Sequence, residues 1–351
     1  MIVFSYAAAF NCMDAVYPYF YGDDFVRTLL LTMLFMLVSM WAAYWFLGLL
    51  AEAARLLCIP IAGWRFVSFR FGQRSGRRLL LDPPTPVNGE YPCVCYLLCG
   101  GLSSLLIGIL LIGISFFTSI GGFLRFFGFL AFNFAWWGFF PRCFGGTGSD
   151  GYWLLRIRND PKQSAVLWLL QRLTVEMERA ETYADFSEET VNALMEYECG
   201  DFSFGDAVVP LYYRAHYLFA QGDREGAAAV YRMIADSAVL EVLKGRAYCE
   251  LLYAAIFDGT SKEELFVLQE RVANLRKNVK DNTSRRRLMY AVRLVCEKNE
   301  ARAEEEYQAL LRLCKAAPFR AQAALDLREA KRVRELYGSG TNQKTAEMKG
   351  V

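Results

Sequence analysis

Two charged residues, Glu52 and Arg55, stand at the end of a run from Thr28 to Ala51 that contains no charge. Three apart on a helix, they share one face, where a carboxylate and a guanidinium form an ion pair. A lone carboxylate near an apolar core is costly, so such groups are usually partnered. A second acid, Asp150, follows Gly145-Gly146-x-Gly148. That glycine run does not follow a soluble strand and reads as a flexible turn, not an anion cradle. Cys93, Cys95 and Cys99 form a C-x-C-x3-C cluster at the head of an apolar segment. Without a second ligand pair, free thiols are the expected state there. The single histidine, His216, lies in the charged half of the chain and is expected to be a packed or surface residue. The sequence holds no phosphate-binding glycine loop, nucleotide fingerprint or Ser-His-Asp arrangement.

The elements that must position these residues follow from an uneven composition. Hydrophobic residues make up 54% of the 351 and aromatic residues 15%, and most of that excess precedes Pro141. Charged residues concentrate after Gly151, so the chain reads as a membrane domain followed by a soluble one. A net charge of +2, with no basic run interleaved with aromatics, argues against a nucleic-acid partner.

Three spans are expected, at about residues 28–51, 96–117 and 122–140, each long enough as a helix to cross a hydrocarbon core of about 30 Å. The last two form a helical hairpin with a turn near Ser119 to Gly122. Six arginines (Arg55, Arg65, Arg70, Arg74, Arg77 and Arg78) lie between the first and second spans. The segment before the first span holds Asp14, Asp23, Asp24 and only Arg27. The positive-inside rule therefore places the 56–90 loop in the cytoplasm, the N-terminus outside and everything after Pro141 inside. Arg125 would sit near the outer turn and snorkel to the interface. Residues 1–24, with Tyr17, Tyr19 and Tyr21 as interfacial anchors, form an extracytoplasmic lead-in. They lack the basic start of a signal peptide. Within the loop, Gly63 to Phe71 alternates in the period of a strand, and Leu79-Leu80-Leu81 supplies a partner before Pro83-Pro84-x-Pro86.

The membrane domain is bounded at 25–155. From Asp160-Pro161, a cap and first-turn pair, the pattern becomes helical. Residues 162–181 and 187–197 read as amphipathic helices. Leu211 to Ile234 has the layout of a tetratricopeptide hairpin, with Ala215 packed small, a turn at Gln221-Gly222-Asp223, and Ala227, Tyr231 and Ile234 along the second helix. Gly245–Phe257 with Lys262–Leu275, and Arg287–Cys296 with Ala303–Lys315, read as two more pairs. Helical pairs of this kind stack into a solenoid whose concave face binds peptide-like partners. The fold class is mostly α. It is a three-span helical membrane domain with a small β-hairpin, then a tetratricopeptide-like helical repeat domain over 156–337 and a disordered tail over 338–351.

The order of elements resembles the site-2 protease family of intramembrane zinc metalloproteases, in particular a bacterial subgroup with a cytosolic helical domain at its C-terminus. In that family the first core helix ends in His-Glu-x-x-His, and a later Asp-Gly supplies the third zinc ligand. Ala51-Glu52-Ala53-Ala54-Arg55 stands at the first position and Asp150-Gly151 at the second. Gly63-Trp64-Arg65-Phe66, Pro83-Pro84-x-Pro86-x-x-Gly89 and Gly100-Gly101 resemble the subgroup's surrounding segments. The resemblance implies that Glu52 is a vestigial general base and Asp150 a vestigial third ligand. Both histidine positions are replaced, by Ala51 and Arg55. Ser103-Ser104 stands where an asparagine is usual, and Gly138 stands where another is expected three residues before Pro141.

Catalytic zinc needs three protein ligands and an open position. Ala51 has no donor atom and Arg55 is permanently cationic, so zinc is expected of the family but not of this chain. The resemblance then implies a pseudoprotease in the cell membrane, multi-pass, that binds a transmembrane or peptide client and recruits a cytosolic protein through its repeats. One alternative is an active site-2-type metalloendopeptidase with non-standard ligands. Another is a membrane-anchored repeat scaffold. Two placements of Arg55 are open. Its guanidinium fills the vacated metal position and bridges Glu52 and Asp150 as a structural ion pair, or it points to the lipid headgroups.

Overall fold

The computed structural model describes residues 25–69, 79–86, 91–118, 121–139, 150–160, 162–257, 262–275, 282–317 and 319–338. The lead-in, the tail beyond Gly338, Pro141 and the Gly145–Gly148 turn lie outside these. The chain is mostly helical and divides into two compact units, Met1–Trp168 and Leu169–Val351.

In the first unit, α1 (Phe25–Arg55) is followed after a two-residue turn by the short α2 (Cys58–Ala62). The break has a local cause. Pro60 carries no N–H, and its ring clashes with the carbonyl four residues back, at Leu56. Gly63 then closes α2 at φ +72°, a left-handed conformation suited to glycine. The expected hairpin is present as β1 (Arg65–Phe69) and β2 (Leu79–Asp82), paired antiparallel with Arg65 opposite Asp82, Phe69 opposite Leu79 and an irregularity between Phe66 and Ser68. The next helices are α3 (Val94–Ser115), α4 (Gly121–Phe139), α5 (Asp150–Asn159) and α6 (Gln163–Arg179), which runs into the second unit. The Trp168 indole donates to the Pro84 carbonyl at 3.1 Å, which holds the start of α6 to the proline segment.

Two helical stretches, Leu29–Ala62 and Val94–Ser115, are long and apolar enough to cross a membrane. The expected third span is α4, whose apolar core, Phe123–Phe132, is shorter. Its packing is intimate all the same. A Cβ on Gly108 of α3 would lie 2.9 Å from the Phe132 ring and 3.0 Å from the Gly128 carbonyl, and one on Gly128 would lie 2.7 Å from Ile112. Glycine at both positions lets the two backbones approach, as small residues do between apolar helices. Ala43 and Leu47 of α1 pack with Phe126, Leu130 and Ala131 of α4 in a common core. Arg125 turns back to the end of α3, with its Nε 3.3 Å from the Ser115 hydroxyl and its guanidinium 5.1 Å from the Phe116 ring.

The second unit contains a 3-10 turn (Tyr183–Asp185) and α7 (Glu188–Glu196), α8 (Gly205–Gln221), α9 (Arg224–Ser237), α10 (Glu241–Phe257), α11 (Lys262–Leu275), α12 (Thr283–Ala291), α13 (Glu300–Ala316) and α14 (Arg320–Tyr337). A π turn, Val292–Cys296, extends α12. Gly222 at φ +91° ends α8, and Asp223 caps α9 by accepting from Gly226 N–H. Ala215, Ala227, Tyr231 and Ile234 are buried between these helices, as the spacing of small and large residues predicts. The final helix, α14, is an element that the sequence pattern does not separate from its surroundings.

Candidate functional site: an arginine bridge beside a thiol cluster

Residues 51 to 55 form the last turn of α1, and Asp150 begins α5, so the bridge joins groups 95 residues apart. Arg55 Nη1 donates to Glu52 Oε1 at 2.8 Å and Nη2 donates to Asp150 Oδ2 at 2.7 Å. Of the two placements open from the sequence, the structure shows the bridge. The planar fork suits this role, because its two terminal nitrogens address different carboxylates at the same time. Asp150 gains further support from the first turn of its helix, where the backbone N–H groups carry partial positive charge.

The surroundings hold the guanidinium in place. Its carbon lies 5.0 Å from the Tyr96 ring centroid, a cation–π contact, and Tyr96 is stacked on Trp64 with centroids 4.4 Å apart at 10°. Trp64 is buried and also meets Tyr91, so the Gly63-Trp64 segment buttresses the bridge through Tyr96. Gly100 of α3 faces the pair. A Cβ there would be 3.5 Å from Arg55 Nη2, 3.5 Å from Asp150 Oδ2 and 3.6 Å from the Ala51 methyl. A methyl fits that space, but a larger side chain would enter the bridge. Ser103 and Ser104 both donate back to the Gly100 carbonyl, at 2.9 and 3.3 Å. The site is largely but not completely shielded, with Arg55 14% and Asp150 23% exposed. Glu52 Oε2 is buried without a hydrogen-bond partner among the described residues.

This donor set does not fit zinc. Ala51 presents a methyl, and the Arg55 cation lies between the two carboxylates where a metal would need them free. The residues at this position support an ion pair rather than a metal-bound water.

The sulfur groups are arranged differently from their order in the sequence. Cys58, from α2, meets Cys95 and Cys99, one turn apart on α3, while Cys93 is buried outside the cluster. Cys93 is two residues before Cys95 and so faces another side of the helix. All four are free thiols. His216 is buried, its Nδ1 3.0 Å from the Tyr212 carbonyl and 2.8 Å from the Tyr231 hydroxyl. Burial pushes its pKa down to about 4, so it is a neutral core residue.

Sequence reasoning missed Gly100 and Tyr96 as neighbours of the bridge, and Cys58 as a member of the sulfur cluster. The Gly100-Gly101 pair was a usable signal for close approach. Nothing local pointed to Tyr96. Compared with known proteins, the chain matches no family model, no curated protein and no solved structure.

Proposed function

We propose that this chain is a catalytically inactive relative of the intramembrane metalloproteases, a pseudoprotease that binds a transmembrane or peptide client. The observation that carries the reading is Arg55 held between Glu52 and Asp150 with Ala51 alongside. The general base and one ligand of a zinc hydrolase are kept as an ion pair, and the remaining ligands are absent. In this reading α4 is a third span, the 56–90 segment and the repeats are cytoplasmic, and the N-terminus is outside. Exposed Leu30, Leu37, Trp41 and Phe46 on α1 and Leu106 and Leu110 on α3 support contact with a lipid bilayer. The helical pairs of the second unit recruit a cytosolic protein. A cavity there of about 350 Å³, bordered by Tyr213, Arg246, Ser284, Phe319 and Gln322, supports that role.

The test is metal analysis and a cleavage assay on full-length protein, with wild type beside Asp150→Ala. The expected result is no zinc that depends on Asp150 and no cleavage of a transmembrane peptide. The double variant Ala51→His with Arg55→His is expected to acquire zinc that is lost again on Asp150→Ala. Stoichiometric zinc in wild type, released by Asp150→Ala, would overturn the reading in favour of an active enzyme. Client capture unchanged by Glu52→Ala and Asp150→Ala but abolished by changes in the repeats would leave only a scaffold.

A further inference from the structure

The bridge leaves the neighbouring sulfur cluster unexplained. Cys58 and Cys95 Sγ are 3.5 Å apart, Cys58 and Cys99 3.7 Å, and Cys95 and Cys99 3.7 Å. The three atoms form a nearly equilateral triangle, and Cys58 is completely buried. Among the described residues this is the one group of three His, Cys, Asp or Glu side chains whose donor atoms converge closely enough to share an ion.

The size of the triangle is informative. With a metal–sulfur bond of about 2.3 Å, three sulfurs of a tetrahedron lie about 3.8 Å apart, and three in a trigonal plane about 4.0 Å. The observed edges need only a small expansion to meet either geometry. A disulfide needs two sulfurs at about 2.05 Å, so every pair here is too far apart to be one. The placement is also built from two elements. Cys95 and Cys99 share a helix face by their i, i+4 spacing, and Cys58 is brought over them by the turn that Pro60 imposes. The Trp64 stack on Tyr96, the residue after Cys95, fixes that approach. Cys99 precedes Gly100, and Arg55 lies within electrostatic reach of its sulfur. A cation is thus at hand beside a group that would carry net negative charge when metallated.

We propose that Cys58, Cys95 and Cys99 form a three-thiolate site for a soft, thiophilic metal ion, of the Zn(II) or Cu(I) class. Thiolates select such ions over hard ones. On binding, three sulfur–metal bonds form and the three thiol protons leave to solvent, with no change of oxidation state. Three ligands leave a fourth position free for Zn(II), whereas Cu(I) is satisfied by three. The site does not depend on the pseudoprotease reading, because it uses neither Glu52 nor Asp150.

The experiment uses full-length protein purified in detergent under reducing, anaerobic conditions and loaded separately with Zn(II) alone and Cu(I) alone. Metal content, competition with a chromophoric chelator and X-ray absorption at the metal edge are measured. One equivalent per chain with three sulfur neighbours is expected, and the arm with the tighter binding identifies the ion. Each of Cys58→Ser, Cys95→Ser and Cys99→Ser should weaken binding by roughly 100-fold or more, beyond what losing an outer-shell partner costs. Cys93→Ser and Asp150→Ala should leave it unchanged. The absorption spectrum of wild type decides the matter even where a variant fails to fold. Absence of a bound ion in both arms, fewer than three sulfur neighbours, or binding that survives the triple serine variant would overturn the proposal. Zinc that is lost on Asp150→Ala and kept in the triple variant would instead count against the pseudoprotease reading.

Discussion

The two units each contain an arginine held by two carboxylates over a tyrosine ring, and the pair differ mainly in burial. Arg55 lies between Glu52 and Asp150 over Tyr96 and is 14% exposed. Arg287, on α12, is ion-paired with Glu250 of α10 and with Asp326 of α14 at 3.0 Å. It lies 4.2 Å from the Tyr253 ring centroid and is 1% exposed. Around it Ser284 and Gln322 also reach Asp326, and His216 approaches Glu250. Burial alone would lower the Arg287 pKa, but the facing Glu250 and Asp326 carboxylates raise it above its ordinary value. Burial pushes the Asp326 carboxyl up in turn. The same chemistry therefore serves two ends. In the second unit it locks three helices into a sealed core, and in the first it joins the end of α1 to the start of α5 at a partly open site.

The comparison can be broken most directly by removing each arginine. Arg287→Ala strands two buried carboxylates and is expected to destabilise the second unit by about 3–5 kcal/mol. The drop should appear in the urea midpoint by circular dichroism, and a loss below about 1 kcal/mol would mean that Arg287 is not the lock.

A pH titration sharpens the contrast, because only the sealed network includes a histidine. The folded pKa of His216, about 4, lies below its ordinary value of 6.5, so the folded state binds fewer protons between these values. Its stabilising contribution is complete above about pH 6.5 and is lost as pH falls toward 4, at about 1.4 kcal/mol per pH unit. Asp326, raised by burial, acts with the opposite sign, favouring the folded state at low pH and losing that contribution as pH rises through its folded pKa. The difference between wild type and His216→Asn in urea denaturation across pH 7 to 4 isolates the imidazole. A pH-independent difference would refute the neutral assignment.

Arg55→Ala is expected to cost less than Arg287→Ala, about 1–3 kcal/mol, since water reaches part of the site. Thermal unfolding in detergent measures it. Equal losses at the two arginines would show that burial is not what separates them. The smallest effect is expected at Asp150→Asn, which keeps an acceptor for Arg55 while removing charge from a 23% exposed group. A loss within about 1 kcal/mol follows for so accessible a pair.

Much of the local structure was legible in the residues. The helix ending at Arg55, the strand at Arg65–Phe69, the Gly222 turn and the capping Asp223 each follow from contacts within a few positions. Adjacency along the chain groups the thiols as Cys93, Cys95 and Cys99. The actual cluster substitutes Cys58, since helix periodicity turns Cys93 aside and the Pro60 break swings another segment in. The Arg287 network has no signature in the sequence. Its members lie on three helices, and buried charges look like solvated ones until the helices pack.

By itself the sequence determined that Glu52 and Arg55 share a helix face, that no histidine is present to hold a metal there, and that an apolar half precedes a charged one. These are matters of composition and of spacing over one turn, where backbone geometry leaves little choice. Only the tertiary structure decided that Arg55 reaches Asp150, that Cys58 completes the sulfur triangle, and that Arg287 is sealed between two acids. Each joins segments far apart in the chain. Contacts at that range depend on how closely whole elements approach, which the bare backbone at Gly100, Gly108 and Gly128 permits.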